Sequence, residues 1–329
     1  MRIFVTGGTG FLGHALLSAL HARRHDLTAL IRAPESAATL PAGVQPVVGS
    51  VERPETYRAA LQGQDAVVHA AALVKMWARD RSEFDRVNVG GTERLVREAS
   101  DAKVPKIVYT SSFIALGPSN GRPLREDDAR RTSEIHNDYE RTKVVADALA
   151  RKLVADGHPL FILYPGVIYG PGHLTDGNLV ARNIIPVLNG TMPFGMAIQG
   201  WSYAYVDDVT AGFVKVLETT PPARRYILGG DNRTGPEFYA ALEVASGRKP
   251  PRFNIPLGVA SVAGWSEYLL AQAFGRPPRT LTHEVVRIYR KSWTYDSGRA
   301  AADLGYTITP LVEGLRRLVA WLRKTGQVR

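Results

Sequence analysis

Ile3-Phe4-Val5-Thr6-Gly7-Gly8-Thr9-Gly10-Phe11-Leu12-Gly13 stands at the head of the chain. The apolar run Ile3-Phe4-Val5 reads as a parallel strand buried on both faces. The glycines after it read as a tight turn into a helix over about Phe11 to Ala22. Gly7 supplies the bend, where a Cβ would obstruct the backbone. Gly10 leaves room for a pyrophosphate to approach, and Gly13 lets the helix pack close to the strand. The free N–H groups of the helix start then point at the phosphates. An ordinary strand-to-helix turn can carry the same glycines. Their place between a strand and a helix favours a dinucleotide site made by Gly7, Thr9, Gly10, Phe11, Leu12 and Gly13.

Working outward, strands and helices alternate. Further strands are predicted at Leu27–Ile31, Val44–Val48, Ala66–Ala70, Lys106–Thr110 and Leu160–Leu163, with helices at about 53–62, 82–101 and 138–156. This rhythm predicts an α/β fold, a doubly wound parallel Rossmann sheet with right-handed crossovers. After Gly170-Pro171-Gly172 it breaks. A helix at about 207–218 and a strand at Arg225–Leu228 return to the core. The expected division is therefore a nucleotide-binding domain of residues 1–172 and 201–230, and a smaller substrate lobe of 173–200 and 231–329.

The second strand ends at Ile31 and is followed by Arg32. A fold of this kind that prefers NAD usually carries an acid there for the ribose hydroxyls. A guanidinium can instead pair with the 2′-phosphate of NADP. NADP is the expected cofactor, with NAD the alternative.

Reducing a carbonyl needs a hydride at carbon and a proton at oxygen. Tyr139 and Lys143, four apart on a predicted helix, share a face. A phenol of ordinary pKa ~10 is a weak acid, and a nearby ammonium lowers that value. Ser112, just after the fifth strand, is placed to hold the substrate oxygen. A lone Tyr-x-x-x-Lys is usually a solvated pair. One strand–helix step after Ser112, in a chain opening on a dinucleotide turn, it reads as catalytic.

Composition excludes several classes. The 329 residues include no cysteine, so disulfides and thiolate metal sites are absent, and the eight histidines are scattered, so no metal is expected. A formal charge of +10 could suggest nucleic acid, but the basic residues form no tract or module. No basic-then-apolar leader precedes the first strand, and no run is long enough to span a bilayer. A cytoplasmic enzyme with no stable membrane insertion is the expectation. The apolar stretch Pro256 to Phe274 is interrupted by Gly264, Ser266, Glu267 and Gln272, and is expected to be a packed lobe helix rather than a membrane-surface one.

Over nearly its whole length the chain resembles the extended short-chain dehydrogenase/reductases. The motifs are Thr6-Gly7-x-x-Gly10-x-x-Gly13, Asp65-x-Val67-x-His69-x-Ala71-Ala72, Asn88-Val89-x-Gly91-Thr92, Thr110-Ser111-Ser112, Tyr139-x-x-x-Lys143, Gly170-Pro171-Gly172 and Tyr205-Val206-Asp207-Asp208-Val209. The resemblance implies that Ser112, Tyr139 and Lys143 are catalytic, and that Lys143 also binds the nicotinamide ribose. It implies that Asn88 supports the site through a structural hydrogen-bond network. His69, Ala70, Ala71, Pro165 and Val167 are then expected to border the cofactor. A homodimer is implied, paired through the helices at about 82–101 and 138–156.

The departures narrow the substrate. Many sugar-nucleotide members end the sixth strand with Arg-Pro, where this chain has Tyr164-Pro165. Their cation before the Tyr-Val-Asp-Asp-Val motif is replaced by Gln199-Gly200-Trp201-Ser202-Tyr203-Ala204. Dehydratases carry Asp-Glu after the catalytic hydroxyl, where Phe113-Ile114 stand here, so elimination lacks its groups. An Asp often found near the adenine is Ser50. The pattern is most similar to the dihydroflavonol reductase and hydroxysteroid dehydrogenase branch, and also to the hopanoid-associated sugar epimerases. The C-terminal segments Gly275-Arg276-Pro277-Pro278 and Trp293 through Tyr306 are of that type. Trp77, Phe113, Tyr164, Trp201 and Tyr203, with Asn178, are expected to contact an apolar or semi-polar substrate. The expected activity is NADPH-dependent reduction of a small carbonyl compound, or the reverse oxidation of an alcohol. A sugar-nucleotide epimerase with retained NAD is the first alternative, and a non-catalytic NADP-binding regulator the second.

Overall fold

The computed structural model describes residues 1–329 except 76, 120, 131, 193, 197, 250, 252, 276–281 and 329. Arg276, Pro277 and Pro278 of the C-terminal motif therefore lie outside the described residues. In chain order the first half runs β1 (Arg2–Thr6), α1 (Phe11–Ala22), β2 (Asp26–Ile31), β3 (Gln45–Val48), β4 (Ala66–His69), α2 (Ser82–Phe84), α3 (Gly91–Asp101), β5 (Ile107–Thr110), α4 (Phe113–Leu116) and α5 (Asp138–Ala155). Then come β6 (Leu160–Pro165), β7 (Val167–Tyr169), α6 (Leu179–Leu188), β8 (Phe194–Met196), β9 (Gly200–Tyr205), α7 (Val206–Glu218) and β10 (Arg225–Leu228). The last third holds β11 (Asp231–Arg233), α8 (Gly235–Ser246), β12 (Phe253–Ile255), α9 (Leu257–Phe274), α10 (His283–Tyr289), β13 (Ser292–Trp293), α11 (Gly298–Leu304) and α12 (Leu311–Lys324).

Seven of these strands form one sheet in the order β10-β6-β5-β4-β1-β2-β3, and every neighbouring pair is parallel. The chain order reverses at β1, between β2 and β4, and ligands of such sheets bind beyond the strand ends at this switch. Alternation along each strand feeds two cores. Ile3, Val5, Ala66, Val68 and Leu163 pack beneath α1 and α7, while Phe4, Val67, Ile107, Tyr109 and Ile162 pack beneath α3 and α5. A four-stranded sheet of β11, β9, β13 and β7 and a pair of β12 and β8 lie outside it.

Two predicted helices differ from expectation. The segment 53–62 is two short 3₁₀ turns, Pro54–Thr56 and Arg58–Leu61. Between them Tyr57 leaves helical geometry at φ −135° and buries its ring 6.2 Å from Phe4. The predicted 82–101 helix is interrupted by a π-helical stretch, Asp85–Gly90. The wider turn leaves Asn88 pointing inward, where its Oδ1 accepts from the Leu73 N–H at 2.7 Å.

Candidate active site

The turn after β1 has the geometry its glycines require. Gly7 has φ +77°, and a Cβ there would stand 2.6 Å from the Ala70 and Ala71 backbone. A Cβ on Gly13 would overlap the Gly7 carbonyl. Helix α1 therefore sits directly on the turn, and no side chain caps its start at Gly10. Its first N–H groups, at Phe11, Leu12 and Gly13, are left for an anion, as a pyrophosphate needs. The loop after β4 is tied to the same turn. The Ala70 N–H donates to the Thr6 carbonyl at 3.1 Å, and Ala71 N–H to the Thr6 hydroxyl at 3.3 Å. His69 is buried between Thr6 Oγ1 at 2.7 Å and Thr92 Oγ1 at 3.0 Å. Burial, helped by the Lys143 charge, pushes its pKa down to about 3, so it stays neutral. It is thus a buried linker between β1 and α3. Arg32 is exposed at the end of β2 and forms no ion pair among the described residues.

Ser112, Tyr139 and Lys143 converge at the end of β5. Ser112 caps the short helix α4, accepting from the Ile114 N–H at 3.3 Å. Asn137 caps α5 through the Glu140 N–H at 2.8 Å, which sets Tyr139 in the first turn. Lys143, one turn on, donates from Nζ to the Thr110 carbonyl at 3.0 Å and lies 5.4 Å from the Tyr109 ring. Burial pushes the Tyr139 phenol up to about 12, against a hydrogen bond with Ser112 that lowers it. Burial brings the Lys143 ammonium down to about 8, opposed by the Asp147 carboxylate. The lowering of the Tyr139 pKa by Lys143 that the sequence predicts is not found in this geometry. The ammonium is turned to Thr110, and burial governs the phenol.

Sequence reasoning missed the residues that hold this group. Asp147 lies four residues after Lys143, accepts from Ser111 Oγ at 3.1 Å and pairs with Arg151 at 2.7 Å. Glu140, fully buried, receives Arg130 at 2.5 Å and His136 Nδ1 at 2.8 Å. Arg130 also donates to the Ile114 carbonyl at 3.0 Å, joining α4 to α5. Tyr295, from beyond α10, donates to the Gly117 carbonyl at 2.6 Å and so fixes the far end of α4. Only Asp147 carried a sequence signal, its helical spacing from Lys143. Asn88 binds Leu73 through both amide atoms and donates to Thr142 Oγ1 at 3.0 Å, joining the π-helical stretch to α5.

The expected substrate contacts divide. Trp77 and Phe113 are half-buried, with Phe113 5.9 Å from the Trp293 ring and 5.7 Å from Tyr295. Tyr164 and Tyr203 pack in the core and not at a cleft, and the expectation is corrected for them. Tyr164 points from β6 into the core under α5, beside Asp147 and Arg151. Tyr203 stacks on Phe238 at 4.8 Å; Asn178 is buried, its Nδ2 donating to the Gly170 carbonyl at 3.1 Å and its Oδ1 without a partner among the described residues. Trp201 is also buried, 5.0 Å from the Tyr289 ring, but its indole N–H has no partner among the described residues. Pro165 ends β6, and Val167 begins β7 with its side chain in the core. A concavity of about 770 Å³ beside Arg122, Asn232, Tyr295 and Tyr306 contains none of the candidate residues. Among the described residues no three His, Asp or Glu side chains gather as metal ligands.

A parallel sheet with this cradle and this Ser–Tyr–Lys cluster at adjoining strand ends defines a class of nucleotide-dependent oxidoreductase. The model of the NAD dependent epimerase/dehydratase family matches residues 3–229. The chain belongs to that family, within the extended short-chain dehydrogenase/reductases, and is an NAD(P)-dependent oxidoreductase. It is 30% identical to sterol demethylase protein B of Methylococcus capsulatus, over 100% of both chains. It is 32% identical to a 4-hydroxy-2-methyl-3-oxo-4-farnesyl-3,4-dihydroquinoline-1-oxide ketoreductase of Stigmatella aurantiaca, over 93% of this chain and 92% of that one. The crystal structure of gox2253 superposes with a TM-score of 0.83 at 29% identity, over 100% of this chain and 99% of that one.

Proposed function

We propose that the protein reduces a ketone or aldehyde on a small, semi-apolar molecule of dihydroflavonol, steroid or aldehyde type, or oxidises the matching alcohol. The convergence of Ser112, Tyr139 and Lys143 beside an uncapped glycine turn carries this reading. The cofactor, when bound, supplies the hydride. The uncapped start of α1 holds its pyrophosphate, and Arg32 holds a 2′-phosphate, making NADPH the preferred form. Ser112 donates to the substrate oxygen and aims it. Tyr139, hydrogen-bonded to Ser112, gives that oxygen its proton. Lys143 carries a charge below about 8 and stabilises the phenolate left behind. Trp77 and Phe113 present apolar surface to the substrate, and the ketoreductase and sterol-named relatives support an apolar one. The lobe of residues 173–200 and 231–329 encloses it. The enzyme acts in the cytoplasm as a homodimer.

The test is NADPH consumption over a panel of aldehydes, ketones and dihydroflavonols, with a UDP-sugar control. Tyr139→Phe is expected to bind NADPH normally and to lose more than about tenfold in turnover on the first active carbonyl, ~1.4 kcal/mol of barrier. Turnover preserved within that factor would remove Tyr139 from the proton-donor role. Conversion of the UDP-sugar alone would turn the assignment to epimerisation.

A further inference from the structure

Half of the large apolar side chains exposed among the described residues lie on one helix, α9. Val259, Val262, Trp265, Leu269, Leu270 and Phe274 are all turned outward, from 47% exposed at Trp265 to 72% at Val262. At 3.6 residues per turn they occupy one half of the helix. The buried half is built from small residues, Ala260, Gly264 and Ala271. A Cβ on Gly264 would stand 2.5 Å from the His283 backbone, so α9 lies close on α10 and its bulk is displaced outward. Glu267 is the only charged residue of the helix, and it is half-buried. This arrangement inverts the usual amphipathic order, in which the apolar stripe faces the core. Apolar faces of this kind mark contact surfaces. The packed-helix expectation is therefore met only on the small-residue side.

Cations rim this face. Arg290 donates to Ser261 Oγ at 3.3 Å near one end, and the Arg79 guanidinium lies 3.7 Å from a Cβ position on Gly275 at the other. Arg287 is exposed on α10, next to His283, whose ring stacks on Trp265 at 3.8 Å. Arg79, Arg287 and Arg290 form no ion pair among the described residues. In sequence Arg248, Lys249 and Arg252 precede the helix, and Arg276 and Arg279 follow it. We propose that α9 and its arginine rim dock the protein on an anionic lipid surface, with the helix lying in the headgroup plane. Wide apolar area with cations at its edge is what interfacial binding requires. Charge complementarity favours lipid over a second copy, because a two-fold contact would set the same arginines against each other. Among the described residues no helix is long and apolar enough to cross a membrane, which fits a surface contact.

The experiment is co-sedimentation of the full-length protein with phosphatidylglycerol/phosphatidylcholine vesicles, and with phosphatidylcholine vesicles alone. Binding to the anionic vesicles, weakened by salt and on the order of tenfold weaker in Arg79→Gln/Arg290→Gln, is expected. A Val262→Glu/Leu269→Glu variant is expected to stay in the supernatant with NADPH affinity and thermal unfolding unchanged. If that variant does not fold, a blue shift of tryptophan emission on adding anionic vesicles to the unaltered protein reports the same contact. Failure of the unaltered protein to bind anionic vesicles overturns the proposal. So does equal binding by the Glu variant, or a concentration-dependent dimer that the Glu variant dissociates. None of these readouts uses turnover, so they stand or fall apart from the proposed reaction.

Discussion

At the residue scale, the candidate catalytic group is local in sequence and was readable there. Ser112 follows a strand, and Tyr139 and Lys143 share one helical face. Their electrostatics were not readable, because burial sets them and burial is a tertiary property. The Lys143 charge illustrates this. Burial lowers its pKa from 10.5 to about 8, and Asp147 acts in the raising direction. The ammonium is present below that pH and lost above it. The rate of carbonyl reduction should therefore fall as pH rises through about 8. Asp147→Asn removes the raising influence, so the falling limb should move to lower pH, while Asp147→Glu should restore it. A pH profile of kcat/KM checks both, and a limb unmoved in the Asn variant would leave Asp147 a purely structural partner of Ser111 and Arg151. Arg32 offers a second test. A charge-assisted hydrogen bond contributes about 1.5–3 kcal/mol, so NADPH should bind roughly tenfold or more tightly than NADH. Arg32→Ala should weaken NADPH and spare NADH in fluorescence titrations. Equal affinities in the unaltered protein would return Arg32 to solvent and favour a retained NAD.

At the element scale, legibility followed how local each element's causes are. The glycine turn and α1 are fixed by Gly7 and Gly13 themselves, and both stand as the sequence implied. The segment 53–62 was misread because a distant partner, Phe4, draws Tyr57 inward and breaks the helix. The π-helical stretch was invisible because its cause is the Leu73 backbone bound by Asn88. Tyr164 and Tyr203 were assigned to a cleft because strands buried on both faces give no sign of which side an aromatic takes. The turn makes the sharpest prediction here. Gly13→Ala forces a Cβ against the Gly7 carbonyl, so α1 must move off the turn and take its N–H groups with it. Cofactor affinity should fall by about tenfold or more by fluorescence titration. The exposed variant Ala22→Gly at the far end of the same helix should lose some stability and leave affinity intact. Unchanged affinity in Gly13→Ala would place the pyrophosphate elsewhere.

At the scale of the whole molecule, the parallel sheet was legible because strand–helix alternation admits few arrangements. The small sheet of β7, β9, β11 and β13 was not, because its short strands pair across long stretches of chain and have no periodic pattern of their own. The same non-local pairing brings Tyr295 to α4, so the outer elements help hold the candidate site. The proposed homodimer has two apolar surfaces that compete for its contact. Helix α5 exposes Val145 and Ala148 on its outer side, and the Arg141–Asp85 pair at 2.6 Å locks it to the π-helical stretch before α3. A two-fold contact there would pair these helices into a four-helix bundle. Helix α9 offers the larger apolar face, but its arginine rim opposes self-contact. Sedimentation equilibrium should therefore find a dimer that Val145→Asp dissociates and Val262→Glu/Leu269→Glu leaves intact. A dimer that responds the other way would put α9 at the subunit contact, and would remove the lipid assignment together with the α5 bundle.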